Sequence, residues 1–248
     1  MTGGCLPLSP SHSSTDAIPG GALTMYRERS ASHQATGYGH LKRALDVLLA
    51  ALALLLLGPP MLLIAAIIRL DTPGPVLCIQ RRVGKGGRVF PFYKFRSMYG
   101  NVDHTISHRS FSKGYINGHG ETPPEGAGNG HFKPAGNGSS VTPVGHWLRM
   151  YSLDELPQLV NVLKGDMSLV GPRPSMDYEV EEYADWHLQR LAVVPGITGL
   201  AQINGRSTLA FDDIVTFDIQ YIERRSLWLD LTILLRTAPV VLLAHGAS

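Results

Sequence analysis

A long apolar segment constrains the fold of this 248-residue chain more than any other feature. Residues 47–68 are 22 consecutive uncharged residues, preceded by Lys42 and Arg43 and followed directly by Arg69. As one straight helix the segment would be roughly 33 Å long at ~1.5 Å per residue, which is enough to cross the hydrocarbon core of a bilayer. The chain is therefore expected to associate with a membrane.

Gly58, Pro59 and Pro60 lie in the middle of this segment. Each proline lacks an amide hydrogen and clashes with the preceding turn, so a helix kinks or breaks there. Basic residues at both ends favour placing both ends in the cytosol. Three arrangements are open: a kinked single span, a helix buried in a soluble core, and a re-entrant hairpin. The hairpin satisfies both the break and the charges, so residues 41–70 are predicted to form a proline-broken re-entrant membrane helix.

The remaining chain shows mixed patterns. Residues 76–98 contain strand-like pieces around a glycine turn. Residues 177–194, with an acidic first turn, and residues 211–225 are typical of amphipathic helices. Residues 226–244 are apolar but include Asp230, which favours an interfacial or packed helix over a second span. The predicted fold class is α+β and mainly helical: a small cytosolic catalytic domain on the re-entrant membrane helix, with interfacial amphipathic helices.

Two segments are predicted to lack regular structure. Residues 1–38 are rich in Ser, Gly and His and are expected to form a disordered N-terminal tail before a domain that occupies residues 39–248. Residues 107–141 are expected to be a flexible Gly-rich insertion, since eight glycines fall between Gly114 and Gly138. The net charge of +2 at pH 7 is mild and we find no nucleic-acid motif, so no nucleic-acid partner is expected.

A basic run follows the apolar segment. It comprises Arg81, Arg82, Lys85, Arg88, Lys94 and Arg96. One interpretation is a solvated basic face, which is the usual role of a charge run. The position directly after the apolar segment suggests a second interpretation, in which these side chains contact lipid headgroups or an anionic substrate.

The residues best suited to chemistry are the adjacent acids Asp154 and Glu155, which stand between Arg149 and Arg173. One interpretation is structural, because the sequence from Ser152 to Glu155 fits a capping box at a helix start. The other is functional. Prolines on both sides of Arg173 fix its backbone, which suits its guanidinium to bidentate phosphate contact.

The functional interpretation implies a cation. Carboxylates that face a diphosphate are repelled unless a cation lies between them, so a Mg²⁺ ion is predicted at Asp154 and Glu155. A carboxylate in that setting can attack phosphorus and form an acyl-phosphate intermediate. The capping and the catalytic interpretations are compatible, because one helix start can orient the acids and serve the chemistry.

Several longer motifs occur in order from about Leu41 to the C-terminus. They are Pro73-Gly-Pro75, Gln80-Arg-Arg-Val-Gly84, Tyr93-Lys-Phe-Arg-Ser-Met98, Ser152-Leu-Asp-Glu-Leu-Pro-Gln158, Gly171-Pro-Arg-Pro174, Pro195-Gly-Ile-Thr-Gly199 and Ser226-Leu-Trp-Leu-Asp230. In these motifs, and in the proline-broken apolar segment, the chain resembles the bacterial sugar transferases. These are monotopic phosphoglycosyl transferases that act on polyprenyl phosphate.

The resemblance implies a reaction and a role for each site residue. A sugar phosphate would pass from a UDP-sugar to undecaprenyl phosphate, with release of UMP and through an aspartyl-phosphosugar intermediate. Asp154 matches the nucleophile of the family, and Glu155 would assist it as a base or as a partner in the Mg²⁺ site. Arg149 and Arg173 match arginines that stabilise the diphosphate, and Lys94 matches a lysine near the site.

The resemblance also implies a location and partners. The chain would be a short, exopolysaccharide-initiating form, held in the inner membrane with its catalytic domain facing the cytoplasm. Its partners would be the membrane, undecaprenyl phosphate, a UDP-sugar and other glycan-assembly enzymes. Two alternatives are a membrane glycosyltransferase that releases UDP and a non-catalytic membrane assembly protein.

Overall fold

A computed structural model of the chain describes residues 36–99, 105–118, 141–205 and 209–242. The described helices are α1 (Thr36–Asp71), α2 (Thr105–Ile116), α3 (Pro143–Met150), α4 (Gln158–Lys164), α5 (Asp177–Val180), α6 (Leu200–Ile203), α7 (Phe211–Arg224) and α8 (Leu227–Leu242). The strands are β1 (Leu77–Val83), β2 (Val89–Phe95), β3 (Ser168–Val170) and β4 (Gly196–Thr198). Short 3₁₀ turns cover Lys85–Gly87, Leu153–Glu155 and His187–Ala192. A mainly helical α+β fold is thus confirmed.

Helix α1 continues through the two prolines. It runs from Thr36 to Asp71 with Pro59 and Pro60 inside, and it is long and apolar enough to cross a membrane by length and composition. The helix is therefore not interrupted at the prolines, as a helix–break–helix would be. It also begins within the predicted tail, since residues 36–38 are helical. The other residues predicted to form the tail lie outside the described part of the chain.

Apolar packing explains why α1 continues past the prolines. The α1 side chains that pack on the rest of the domain recur every three or four positions, and they are Ala50, Ala53, Leu54, Leu57, Met61, Ile64, Ala65 and Ile68. The opposite face is uncovered and carries Leu48, Leu52, Leu55, Leu56, Leu62 and Leu63. Because contacts with the domain occur both before and after the prolines, the two missing backbone hydrogen bonds do not end the helix.

Polar side chains join the start of α1 to the domain. Lys42 Nζ lies 2.9 Å from Oδ2 of the buried Asp230. Arg43 donates to the carbonyl oxygens of Val162 and Leu163, at 2.6 and 2.9 Å. These carbonyls end α4, where a cation is favoured by the helix dipole.

The end of α1 is joined to the same domain by Arg96, which follows β2. Its buried guanidinium donates to the carbonyl oxygens of Ile68, Thr72 and Pro73, at 3.3, 2.6 and 2.9 Å. Ile68 lies in the last turn of α1 and Thr72 and Pro73 follow it directly, so Arg96 holds the end of α1 against β2. Both ends of the apolar helix are thus hydrogen-bonded to one domain.

The strand register divides the basic run into two groups. β1 and β2 are antiparallel, and they pair Arg82 with Phe90 and Cys78 with Lys94. Partners share a face and faces alternate along a strand, so Arg82 and Lys94 lie on the same face as Phe90 and Phe92. This face is buried. A solvated face is therefore the wrong interpretation for Arg82, Lys94 and Arg96, although Arg81, Lys85 and Arg88 are exposed.

A short parallel pair places the segment that carries Arg173. β3 and β4 pair Ser168 with Gly196 and Val170 with Thr198. The two segments lie so close together that a Cβ on Gly196 would overlap the backbone nitrogen of Gly171. The segment after β3 is therefore fixed directly against the segment that contains β4.

Part of the predicted Gly-rich insertion is a helix. Residues 107–116 belong to α2, and Ile116 packs against Phe211 and Val215 of α7. The prediction of a flexible segment is wrong for these residues, because apolar side chains at the end of α2 find partners on α7. Residues 119–140 lie outside the described part of the chain.

The predicted helix over 177–194 is divided. It consists of α5 and the 3₁₀ turn His187–Ala192, with turns between them. Its acidic residues serve tertiary contacts as well as the helix start, because Glu182 pairs with Lys113 of α2 at 3.0 Å. The prediction of a single helix was therefore wrong, because tertiary contacts with α2 and β1 outweigh the helical periodicity of the sequence.

The two C-terminal helices agree with the sequence prediction. α7 covers Phe211–Arg224, and α8 covers Leu227–Leu242. On α8, Ile233 packs against Val170 and Tyr221. A second apolar face of α8 is uncovered and carries Trp228, Leu231 and Leu235.

Candidate active site

The adjacent acids lie in the 3₁₀ turn Leu153–Glu155, between α3 and α4. Ser152, which precedes this turn, has a left-handed backbone (φ 53°), and its side chain makes no capping hydrogen bond. The capping box predicted from Ser152 to Glu155 is therefore wrong. An N-cap requires an extended backbone, whereas the left-handed conformation of Ser152 is typical of a residue that redirects the chain.

Helix α4 places the acidic turn beside β2. The helix begins at Gln158, directly after Pro157, whose missing amide hydrogen costs nothing before the first turn. Asn161 joins α4 to β2, because its side chain accepts from Tyr93 N at 3.2 Å and donates to Pro91 O at 2.6 Å. The strand that carries Lys94 is thereby fixed against the helix that follows the acids.

Two cations contact the carboxylates directly. Lys94 Nζ lies 3.1 Å from Asp154 Oδ2 and 3.6 Å from Glu155 Oε1. Arg173 Nη2 donates to Glu155 Oε1 at 2.8 Å. The structure therefore brings together Lys94, Arg173 and both acids, which were all predicted to belong to one site.

Arg149 stands on the Asp154 side of the site, in the last turn of α3. Burial lowers the pKa of its guanidinium, and the nearby charge of Asp154 acts in the opposite direction. No hydrogen bond or ion pair joins this guanidinium to any residue in the described ranges. Arg149 is thus a half-buried cation that can accept an anionic ligand without breaking an existing contact.

The two carboxylates have opposite electrostatic environments. Burial acts to raise the pKa of Glu155, but Arg173 and Lys94 outweigh it and lower that pKa to about 2. For Asp154 burial is the stronger effect, so its pKa lies above the ordinary value although Lys94 opposes the change. The charge of Glu155 raises the pKa of Asp154 further. Glu155 is therefore a fixed anion, whereas Asp154 gains most from an additional positive charge.

The acids fit the predicted Mg²⁺ ion as a pair of ligands. The contacts above engage Oδ2 of Asp154 and Oε1 of Glu155, and the described residues provide no partner for Asp154 Oδ1 or Glu155 Oε2. In the described ranges no three His, Cys, Asp or Glu side chains are placed to hold a metal ion. Two carboxylate oxygens suit Mg²⁺, which typically takes its remaining ligands from water and substrate phosphates.

Arg82 is a residue of this site that the sequence analysis did not single out. Its buried guanidinium donates to Pro174 O at 3.0 Å, directly after Arg173, and its charge contributes to the low pKa of Glu155. The alternation of β1 and β2 could have identified it, because Arg82 shares the face of Lys94. Because Arg82 is one of six basic residues in the same run, its position on that face was not recognised.

A family model matches most of the chain. The family model described as "Bacterial sugar transferase" matches residues 37–244. This range includes all five residues predicted to form the site and all of α1 except Thr36.

Relatives of this chain include three bacterial proteins. The galactosyl transferase CpsE of Streptococcus agalactiae is 42% identical over 85% of this chain and 44% of its own length. The undecaprenyl-phosphate galactose phosphotransferase of Salmonella typhimurium is 40% identical over 84% of this chain and 41% of its own length. The exopolysaccharide production protein ExoY of Rhizobium meliloti is 39% identical, over 84% of this chain and 88% of its own length. The chain thus spans less than half the length of the first two relatives.

Proposed function

Because the chain belongs to the bacterial sugar transferase family, we propose that it transfers a sugar phosphate from a UDP-sugar to undecaprenyl phosphate and releases UMP. The reaction would initiate the synthesis of an exopolysaccharide or another surface glycan. Two relatives support the acceptor and the setting, since one is named an undecaprenyl-phosphate galactose phosphotransferase and another an exopolysaccharide production protein.

One observation carries the proposal: a buried carboxylate stands beside a cation that has no hydrogen bond or ion pair in the described ranges. Asp154 is 4% exposed, and Arg149 has an electrostatic interaction with it but no hydrogen bond. A capping pair would need neither the burial nor the unpaired guanidinium. This arrangement suits an anionic substrate whose phosphorus is brought next to Asp154.

In the proposed first step Asp154 is the nucleophile. Its carboxylate oxygen forms a bond to the phosphorus that carries the sugar, and the bond from that phosphorus to the bridging oxygen breaks. The electron pair leaves with UMP, and an aspartyl-phosphosugar remains on the protein. Lys94 holds Asp154 in place through its contact of 3.1 Å. Arg149 and Arg173 bind the phosphate oxygens on either side.

In the proposed second step undecaprenyl phosphate regenerates the enzyme. An oxygen of its phosphate forms a bond to the same phosphorus, and the acyl-phosphate bond breaks. Asp154 recovers its carboxylate, and the sugar phosphate is now part of an undecaprenyl diphosphate sugar. The low pKa of Glu155 makes it a poor proton acceptor, which favours a role in the Mg²⁺ site over the role of a base.

Mg²⁺ is part of the proposal and would be held by Asp154 and Glu155. It would supply positive charge that offsets the repulsion between the two carboxylates and a diphosphate. The raised pKa of Asp154 supports this role, because an added cation stabilises the ionised carboxylate.

We also propose that α1 is re-entrant, with a bend at Pro59 and Pro60 that does not end the helix, and that the domain lies on the cytoplasmic face of the inner membrane. Contacts at both ends support this topology, because Arg43 and Arg96 bond the start and the end of α1 to one domain. A span would separate those ends by a bilayer. Labels placed before Lys42 and after Asp71 should both react from the cytosolic side. Reaction from opposite sides would refute re-entry.

The nucleotide product tests the reaction. Purified protein in nanodiscs, given undecaprenyl phosphate, Mg²⁺ and a panel of UDP-sugars, is expected to release UMP and to form a labelled glycolipid. Release of UDP would instead identify a glycosyltransferase that moves the sugar without its phosphate. Absence of both nucleotides with every UDP-sugar would favour a non-catalytic assembly protein.

A further inference from the structure

The backbone carbonyls around Arg173 all have partners from outside their own segment. Pro172 O accepts from Gly196 N at 2.8 Å, and Pro174 O accepts from Arg82 at 3.0 Å. Arg173 O accepts from Arg190 Nη2 at 3.3 Å. These hydrogen bonds restrict the movement of residues 172–175, the Arg173 loop. The position of the Arg173 guanidinium therefore depends on the groups that donate these bonds.

Arg190 is the least expected of these donors. It lies in the 3₁₀ turn His187–Ala192 and is 6% exposed. Its Nη1 donates to the Tyr183 hydroxyl at 2.8 Å, and that hydroxyl lies 2.5 Å from the Ser175 hydroxyl. Arg190 thus reaches the Arg173 loop at two points, directly at Arg173 O and through Tyr183 at Ser175.

A buried carboxylate on α7 balances the charge of Arg190. Arg190 Nη2 lies 2.7 Å from Asp218 Oδ2, and Asp218 is 1% exposed. Burial raises the pKa of Asp218 to about 6, although Arg190 acts to lower it. An ion pair in the interior loses the hydration of both charges, so hydrophobic residues of similar size would often be as stable. Stability alone therefore gives no reason to prefer this pair.

We propose that Arg190 and Asp218 form a positioning pair that holds the Arg173 guanidinium against Glu155. Neither residue is bonded to Asp154 or Glu155, and both act through the backbone of the Arg173 loop. Lysine is not equivalent to Arg190, because the contacts with Tyr183 and with Arg173 O use two separate nitrogens, Nη1 and Nη2, and an ammonium group has only one. Without the pair, Arg173 keeps its charge but loses its fixed position, so binding of the diphosphate weakens. The inference rests on the proposed function.

The main test is the double variant Arg190→Met/Asp218→Leu. It replaces both charges by apolar side chains, so no unpaired charge is left in the interior. We expect kcat/KM for the UDP-sugar to fall ~10- to 100-fold, because misplacement of a binding group by about 1 Å costs this much. Unchanged kcat/KM would overturn the proposal. Asp218→Asn, which conserves shape, is a second variant that is expected to lower kcat/KM in the same direction.

A double-mutant cycle with Arg173→Met separates positioning from a general structural role. If the pair acts through Arg173, the double variant should cost little further activity when Arg173 is already Met. The same fold loss in both backgrounds would contradict the proposal. Ser226→Ala is a matched control, because it removes the side-chain hydrogen bond from Leu229 N at the start of α8, outside the Arg173 loop. It should lower the melting temperature without changing kcat/KM.

A second measurement does not depend on the reaction. Side-chain ¹⁵Nε relaxation of Arg173 should give a high order parameter in the wild type and a lower one in Arg190→Met/Asp218→Leu. An unchanged order parameter would overturn the positioning role even if the proposed function holds. If the wild type releases no UMP, the proposed function fails, and this measurement still decides whether the pair holds Arg173.

Discussion

The site has two sides, each with one carboxylate and one arginine, and the two sides differ in hydrogen bonding and in the pKa of the carboxylate. On the Asp154 side, Arg149 has no hydrogen-bond partner in the described ranges, and the pKa of the carboxylate is raised. On the Glu155 side, Arg173 is bonded to the carboxylate at 2.8 Å and the pKa is lowered to about 2. The pKa values of these two adjacent carboxylates thus shift in opposite directions because different tertiary neighbours surround them. The Asp154 side is suited to react, and the Glu155 side is suited to hold charge in place.

Asp154→Asn, on the Asp154 side, should cause the largest loss of activity. We expect kcat to fall at least ~10³-fold, because an amide cannot form the covalent intermediate. Protein incubated with a UDP-sugar labelled in the sugar, without undecaprenyl phosphate, should retain label in the wild type and none in the variant. Asp185→Asn changes an exposed aspartate and serves as the control. A variant that still retains label would place the nucleophile elsewhere.

Arg173→Met should have the next largest effect and should act on both activity and stability. It would remove a proposed phosphate contact, and it leaves Glu155 buried with one cation fewer. We expect kcat/KM to fall ~10²- to 10³-fold and the free energy of unfolding to fall by about 2 kcal/mol. Donor titrations and thermal melts of the same preparation measure the two effects. A loss of activity without any loss of stability would show that the contact between Arg173 and Glu155 does not stabilise the fold.

Arg149→Met should affect activity alone. Because this guanidinium has no hydrogen bond to lose in the described ranges, we expect the melting temperature to remain within about 2 °C of the wild type. The kcat/KM for the UDP-sugar should fall ~10²-fold, since a desolvated phosphate contact is lost. A large drop in melting temperature would show that Arg149 has a structural role, and the contrast with Arg173 would disappear.

The pH dependence of stability should show the smallest effect. The folded pKa of Glu155 lies below the unfolded value of 4.5, so its ionisation stabilises the fold above pH 4.5, and this contribution is lost as pH falls towards about 2. The stability difference between wild type and Glu155→Gln should therefore shrink as the pH falls through that window. Near-UV circular dichroism melts at several pH values measure it. Glu223→Gln, at an exposed position with no ion pair in the described ranges, is the control.

Much of the site could be predicted because its chemistry lies in short motifs. Asp154, Glu155, Arg149, Arg173 and Lys94 were identified from the sequence and the family resemblance, and the structure places them together. Their catalytic and binding roles are still predictions. The local backbone was predicted less well, because a capping pattern describes a helix start and cannot show that Ser152 takes a left-handed conformation instead.

The fold was predictable where the pattern reflects burial over many residues. The apolar α1 and the helices over 211–225 and 226–244 were recognised, because long periodic or apolar segments seldom form anything else. The helix in residues 107–116 was missed, because its neighbouring glycines dominated the composition. The continuation of α1 through Pro59 and Pro60 was also missed, since it depends on packing against the domain.

The sequence by itself determined that the chain has an apolar helix, two adjacent acids and a proline-bounded arginine. These features depend on residue type and short spacing, which are local. The tertiary structure alone decided which carboxylate is the fixed anion and which basic residues are buried. Arg82 and Arg190 bond the backbone around Arg173, and Asp218 pairs with Arg190, although these residues come from segments far apart in the chain. Electrostatic energy depends on distance and burial in three dimensions.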